Sequence, residues 1–487
     1  MNKPLRRVAV FCGLLILSLL VRDNWIQFVA ADDLKNHKNN RRVPIERYAQ
    51  PRGDIIVDGE PITGSVKVDT GDFKYKRTYK NGPMYAPVTG YASQVFGTTQ
   101  IENLQDSILT GDDDRLFFNR TLDVLTGKPK KGGDVVTTIN PDAQKAAWEG
   151  LGDKKGAVAA IDPETGAILA LVSTPSYDPS AFAGSSDEDG KAWNALQKKN
   201  NSDDPMLNRA LRQTYPPGST FKVVTAAAAL EEGIYDDVNG KTDSPLPYIL
   251  PQTTTPLKNE GNLPCEDASL MKALEVSCNT VFAAAADKVG NEKMQEYAEK
   301  FGFNNPKVDT PTRAAESVYP EDNRPQNAMA GIGQASNRAT PLQMAMVAAA
   351  IANDGKLMKP YLVQQLVAPN LNVIEQTDPS KMSDAVSPET AQKLQQMMEN
   401  VVERGTGTNA KISGVTVGGK TGTAQHGVDN SGNPYAWFIS YAKTDDGSPV
   451  AVAVVVEDAS GTARDDIAGG RLAAPIAKDV MQAVLKK

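Results

Sequence analysis

The sequence predicts an α+β fold: an antiparallel sheet flanked by helices, with a smaller module and one apolar segment ahead of it. Two observations carry this reading. Towards the C-terminus three strand-like runs follow one another over short connections: VTVGGKTGTAQ from Val415, AWFISYAK from Ala436 and VAVAVVVED from Val450. Successive runs rich in β-branched and aromatic residues suit neighbouring antiparallel strands. Helix signals lie on both sides of them, over 388–403 and from Ala474 onward.

Length and composition describe the rest of the chain. At 487 residues, 40% hydrophobic and 23% charged, the chain is an ordinary globular protein of more than one domain. A net charge of −7 and the lack of a long basic run give no sign of nucleic-acid binding. Lys3, Arg6 and Arg7 precede the apolar run VAVFCGLLILSLLV from Val8, and WIQFVAA resumes after Arg22, Asp23 and Asn24. Counted to Ala31, this segment reaches the ~20 residues that span a bilayer, with Arg22 and Asp23 as a costly interruption. It reads as an uncleaved single-pass anchor; the competing reading is a signal peptide cut after Ala31. The positive charges place the N-terminus in the cytoplasm either way, and the bulk of the chain outside it. Three parts result: 1–31 as tip and transmembrane anchor, 32–133 as a non-catalytic module, and 134–487 as the main domain.

Within 32–133, DIIV from Asp54 and SVKVDT from Ser65 are short β-like runs. The main domain opens with DVVTTINPDAQKAAWEGL from Asp134, a strand, an Asn140-Pro141 turn and an amphipathic helix. Apolar runs over 157–161 and 167–172 flank Asp162-Pro163-Glu164-Thr165-Gly166, a hairpin signal. The polar stretches 184–193 and 251–264 read as surface loops. Further helices are expected after Ser219, over 268–289 and after Thr340-Pro341.

The chemistry is concentrated in three short motifs. YPPGSTFKVV from Tyr215 places Ser219 and Lys222 three residues apart behind a Pro-Pro-Gly break. Ser219 as a simple helix cap explains that stretch equally well on its own. On one helical face, however, the lysine can approach the hydroxyl and serve as its base once burial and nearby cations lower its pKa. Histidine is scarce: His37 lies beside the apolar segment and only His426 remains, which nearly excludes a Ser-His-Asp triad. His426 itself reads as a polar residue at the rim of a site, and Trp437 as core packing. EVSCNTVF supplies Ser277, Cys278 and Asn279, and VGGKTGTAQ supplies Lys420, Thr421, Gly422 and Thr423.

Ser-x-x-Lys, Ser-x-Asn and Lys-Thr-Gly in this order are the signature of the penicillin-recognising serine enzymes. With NRALRQTYPPGSTFK, GIGQASNRATPLQMA, NVVERGTGTNA, YAWFISY and, at the front, ERYAQPRGDIIVDG and YKRTYKNGPMYAPVTGYASQVFG, nearly the whole chain resembles a class B penicillin-binding protein of the short type called penicillin-binding protein A. The resemblance implies a membrane-anchored peptidoglycan D,D-transpeptidase, in which a dimerisation or pedestal module precedes the penicillin-binding domain. It further implies that Ser219 is the nucleophile, Lys222 its base, Ser277 a proton relay, and Asn279 a holder of the substrate amide. Lys420 would add positive charge, Thr421 and Thr423 would bind the substrate carboxylate, and the N–H groups of Ser219 and Thr423 would form the oxyanion hole. Glycines 418, 419 and 422 would let the strand lie close to the ligand. Peptidoglycan stem peptides, β-lactams, the membrane and a glycosyltransferase or other wall-assembly protein are the implied partners.

No cofactor and no metal is implied, since no Cys/His/Asp cluster has ligand spacing. The alternatives are a membrane-anchored penicillin-binding sensor or scaffold, and a β-lactamase. The last lacks support because Glu316 and Glu321, in the region before the third motif, have no Asn four residues on. Of three cysteines, Cys12 falls in the apolar segment; Cys265 and Cys278 face an oxidising compartment and are candidates for a disulfide, the alternative being two free thiols.

Overall fold

A computed structural model describes residues 3–35, 37, 40, 42–68, 71–116, 130–198, 201–261, 263–310, 312–425, 432–458 and 462–486. At its centre five strands run in the order Thr416–Ala424, Tyr435–Thr444, Gly447–Asp458, Lys155–Ile161 and Ile168–Thr174, antiparallel throughout. Side chains alternate across a strand, so an unbroken apolar run needs cover on both faces. Val450, Val452, Val454 and Val456 pack on one face with helices Pro141–Leu151 and Gly469–Leu485. Ala451, Ala453 and Val455 pack on the other, where helix Pro341–Ala352 is buried along almost its whole length. The sheet is the middle of three layers, the arrangement expected of the α+β class.

The helical lobe beside the sheet contains Lys222–Glu231, Leu270–Val276, Asn279–Val289 and Pro388–Arg404. The helix expected over 268–289 is two helices. Ser277 takes a left-handed conformation, φ 66° and ψ 44°, which no continuous α-helix accommodates. The stretch 184–193, expected as a loop, is largely helix Asp187–Leu196. Ser186 and Asp189 form a capping box there, and three acidic residues in the first turn suit the positive end of the helix dipole. Trp193 stacks on Phe96 at 4.6 Å, so this acidic segment also closes an aromatic cluster. The C-terminal helix starts at Gly469, earlier than Ala474, because two glycines made its first turn look like loop.

Ahead of the sheet, Arg52 and Arg77 converge on the buried carboxylate of Glu102, at 3.0 and 2.6 Å. Strand Ile55–Val57 pairs in parallel with Asp134–Thr137, which pairs on its other side with Val363–Val367. A second five-stranded sheet therefore crosses the division near residue 134. At the N-terminus Lys3–Val29 is helical through Arg22 and Asp23; an 18-residue window within it has a mean hydropathy of 2.0, and none of that window is buried. It is long and apolar enough to cross a membrane.

Candidate active site

Ser219 lies in the single turn Gly218–Phe221, which runs directly into helix Lys222–Glu231. It is inside that turn and does not cap the helix. The turn is braced from two sides. The Trp437 indole donates to the Pro216 carbonyl at 3.1 Å, and the Gly218 N–H donates to the Gly333 carbonyl at 2.9 Å. Gly218 and Gly333 have φ of 55° and 76°, and a Cβ on Gly333 would strike the backbone of Gly218. The GIGQ segment is thus a strut for the serine turn. The Ser219 side chain is half-buried and makes no hydrogen bond among the described residues.

Below it two lysines share one hydroxyl. Lys222 Nζ is 2.8 Å from the Ser277 carbonyl, 2.7 Å from Asn279 Oδ1 and 3.3 Å from Ser277 Oγ. Lys420 Nζ is 3.0 Å from the same Oγ and 3.0 Å from the Thr421 carbonyl. Neither lysine has any exposure to solvent. Burial, followed by the charge of Lys420, holds Lys222 well below the ordinary lysine range. Burial alone brings Lys420 down to about 7, and Glu260 opposes both shifts. The left-handed Ser277 is what makes the sharing possible: the chain turns there, so the serine carbonyl and hydroxyl both face the lysines.

Thr421 Oγ1 and Thr406 Oγ1 are 2.6 Å apart, and Thr421 and Thr423 line a cleft of about 470 Å³ with Ser219 and Ser277. Their strand is an edge of the sheet, so its outer side is open to the cleft. The glycines of this strand make room within the protein. A Cβ on Gly418 would meet the ring of Tyr441, one on Gly419 the ring of Phe438, and one on Gly422 the Pro217 carbonyl at 3.1 Å. They admit neighbouring aromatic rings and the serine turn. Trp437 is fully buried and packs edge-on to Tyr215. His426 lies outside the described residues. Glu316 and Glu321 do not line the cleft.

Cys265 and Cys278 are joined by a disulfide with Cα atoms 5.8 Å apart. Asn259, Glu260 and Leu263, in a stretch that the sequence reads as a surface loop, therefore belong to the site together with Cys265. Asn259 Oδ1 accepts the N–H groups of Asn279 at 2.6 Å and Thr280 at 3.0 Å, capping helix Asn279–Val289 from another segment. Glu260 follows it into the cleft, and Arg404, Thr406 and Asn409 of the NVVERGTGTNA segment form another part of the wall. An Asn-Glu pair in a polar loop carries no local signal of either role. Among the described residues no group of His, Cys, Asp and Glu could hold a metal ion.

Residues 156–482 match the penicillin binding protein transpeptidase domain. The chain belongs to the penicillin-binding protein transpeptidase family. Ahead of that domain, residues 52–135 match the penicillin binding protein A dimerisation domain. Over 498 residues the chain is 42% identical to the peptidoglycan D,D-transpeptidase PbpA of Mycolicibacterium smegmatis, covering 100% of both. It is 41% identical to the protein of that name from Mycobacterium tuberculosis, covering 100% of this chain and 99% of the relative. Among solved structures, penicillin-binding protein A from M. tuberculosis as its ceftriaxone acyl-enzyme superposes with a TM-score of 0.84 at 41% identity, covering 91% of this chain and 100% of that one. Its penicillin G acyl-enzyme superposes with a TM-score of 0.83 at the same identity, covering 90% and 100%. In this penicillin-binding protein the three family motifs meet at the cleft described above.

Proposed function

We propose that the chain is a peptidoglycan D,D-transpeptidase that cross-links stem peptides through an acyl-enzyme on Ser219. The observation that carries this reading is the pair of unexposed lysines, Lys222 and Lys420, sharing Ser277 Oγ beside the half-buried Ser219. A serine needs a base, and burial with the charge of Lys420 holds Lys222 well below the ordinary lysine range, which favours its neutral, basic form. Lys222 takes the Ser219 proton as Oγ attacks the carbonyl between the two terminal D-alanines. The backbone N–H groups of Ser219 and Thr423 stabilise the oxyanion; one such donor is typically worth ~3–4 kcal/mol. On collapse the C–N bond breaks, and the proton passes through Ser277 to the departing D-alanine amine. Asn279 holds the substrate amide, and Lys420, Thr421 and Thr423 receive its carboxylate. An acceptor amine then attacks the ester and restores Ser219.

The relatives named above support this reading, since two are called D,D-transpeptidases and one is solved as β-lactam acyl-enzymes. The apolar helix supports a single membrane anchor with 134–487 outside the cytoplasm as the catalytic domain and 32–133 as its non-catalytic module. A glycosyltransferase working on the same strand is the partner this implies.

Labelled penicillin tests the reading. Wild type is expected to form a stable adduct that maps to Ser219, and Ser219→Ala none. An adduct on Ser277, or one that persists in Ser219→Ala, refutes the assignment; rapid release of hydrolysed penicillin points to a β-lactamase.

A further inference from the structure

Resting on the transpeptidase reading, we propose that Glu260 is the docking group for the cationic amine that accepts the acyl chain. Transpeptidation needs two substrates of opposite character at one serine. The donor ends in a carboxylate, and the lysines and threonines of the cleft suit it. The acceptor is a primary amine, cationic at neutral pH, and it must approach an ester that lies over two lysines. A group of negative charge in the same cleft raises the local concentration of such an amine there.

Glu260 lines that cleft with Ser219 and Ser277 and is exposed to solvent. It is near enough for its charge to act on both Lys222 and Lys420. It has no hydrogen-bond or ion-pair partner among the described residues. The other cleft carboxylate is already engaged: Glu275 accepts from Asn400 at 2.8 Å and pairs with Lys272. The remaining charges on the cleft wall are cationic: Arg404, and Arg471, which pairs with Asp466. The position of Glu260 is fixed as well as its charge. Asn259, immediately before it, holds the N–H groups of Asn279 and Thr280, and Cys265, five residues on, is bonded to Cys278. The loop is tied on both sides of Glu260 to the Ser277–Asn279 motif.

The reaction balances with these groups. The acceptor nitrogen arrives with three protons. One leaves to solvent as the amine is freed for attack, one passes to Ser219 Oγ as the ester C–O bond breaks, and one stays on the new amide. Glu260 binds and orients the ammonium and is unchanged at the end.

The test is the partition of a single acyl-enzyme. Full-length protein in detergent is acylated with a thioester analogue of an acyl-D-alanine donor, and amide and acid products are compared at one pH. Because both products come from the same intermediate, any effect of Glu260 on acylation cancels. With Nα-acetyl-lysinamide as acceptor, Glu260→Gln is expected to lower the amide-to-acid ratio about tenfold, the order of a charge-assisted hydrogen bond, with Glu260→Asp in between. With hydroxylamine, which is neutral at that pH, the ratio is expected to stay at the wild-type value. An unchanged ratio for the cationic amine, or an equal fall for both acceptors, overturns the proposal. If wild type forms no acyl-enzyme from the thioester, the transpeptidase reading fails first and the acceptor site with it.

Discussion

Replacing Lys420 by methionine should stabilise the protein at neutral pH while abolishing its chemistry. Lys420 has no exposure, and burial lowers its pKa from 10.5 to about 7. Between those two values the unfolded chain binds a proton that the folded one does not, so folding stability rises with pH across this window. Below pH 7 the full penalty stands, and at ~1.4 kcal/mol per tenfold change it amounts to about 5 kcal/mol. Methionine fills similar volume without charge but forfeits the contacts to Ser277 Oγ and the Thr421 carbonyl, worth about 1 kcal/mol each. Lys420→Met is therefore expected to be about 3 kcal/mol more stable than wild type at pH 6. The advantage should shrink with rising pH, cross zero near about pH 9 and become a deficit of about 2 kcal/mol above pH 10.5. Scanning calorimetry of both proteins from pH 6 to 10 measures this as a difference in Tm that changes sign. A variant less stable by the same margin at every pH would refute the idea that Lys420 is held in place against its own desolvation.

Lys222→Ala should slow acylation by penicillin by several orders of magnitude, read as the rate of adduct formation. In wild type that rate should fall as pH drops through the value of Lys222, which lies well below 10.5, because protonation removes the base. A chain lacking residues 1–31 should be soluble without detergent and still form the adduct, since every motif lies beyond the apolar helix; folded but unreactive protein would mean that the anchor shapes the site. Removing both Cys265 and Cys278 as alanines should cost about 3 kcal/mol, from the freed loop in the unfolded chain, measurable as a lower unfolding temperature than wild type under non-reducing conditions. Glu102→Gln removes the buried carboxylate shared by Arg52 and Arg77, leaving Arg52 with Asp106 and Arg77 with the more distant Asp54, and should destabilise the protein by about 3 kcal/mol, observable in the same melts.

The three motifs were legible because each is contiguous and each chemical role sits on a side chain that the role requires. The central sheet was legible for a related reason: its late strands are neighbours in sequence and alternate or run apolar as local patterns. What escaped depends on distance along the chain. Nothing near Asn259 indicates that it will cap a helix starting twenty residues later, and nothing near Glu260 that it will face two lysines. The break at Ser277 was hidden because flanking alanines and leucines favour helix, while the left-handed turn is stabilised by the disulfide and by contacts from Lys222 and Lys420. That the glycines of the Lys-Thr-Gly strand also make room for Phe438 and Tyr441 was not legible, because those rings lie on the next strand.

The second sheet has a bearing on how the protein is made. A chain threaded across a membrane from its N-terminus delivers Ile55–Val57 first, Asp134–Thr137 later, and Val363–Val367 only after most of the catalytic domain has followed. Asp134–Thr137 lies between the other two, so its outer edge stays unpaired until the late strand emerges. An unpaired edge is a template for pairing with the wrong chain, and long-range pairings of this kind are slow to form. The emerging protein thus has a vulnerable interval in which the leading module is present but its sheet is incomplete. Holding factors that cover exposed strands during export would act in that interval.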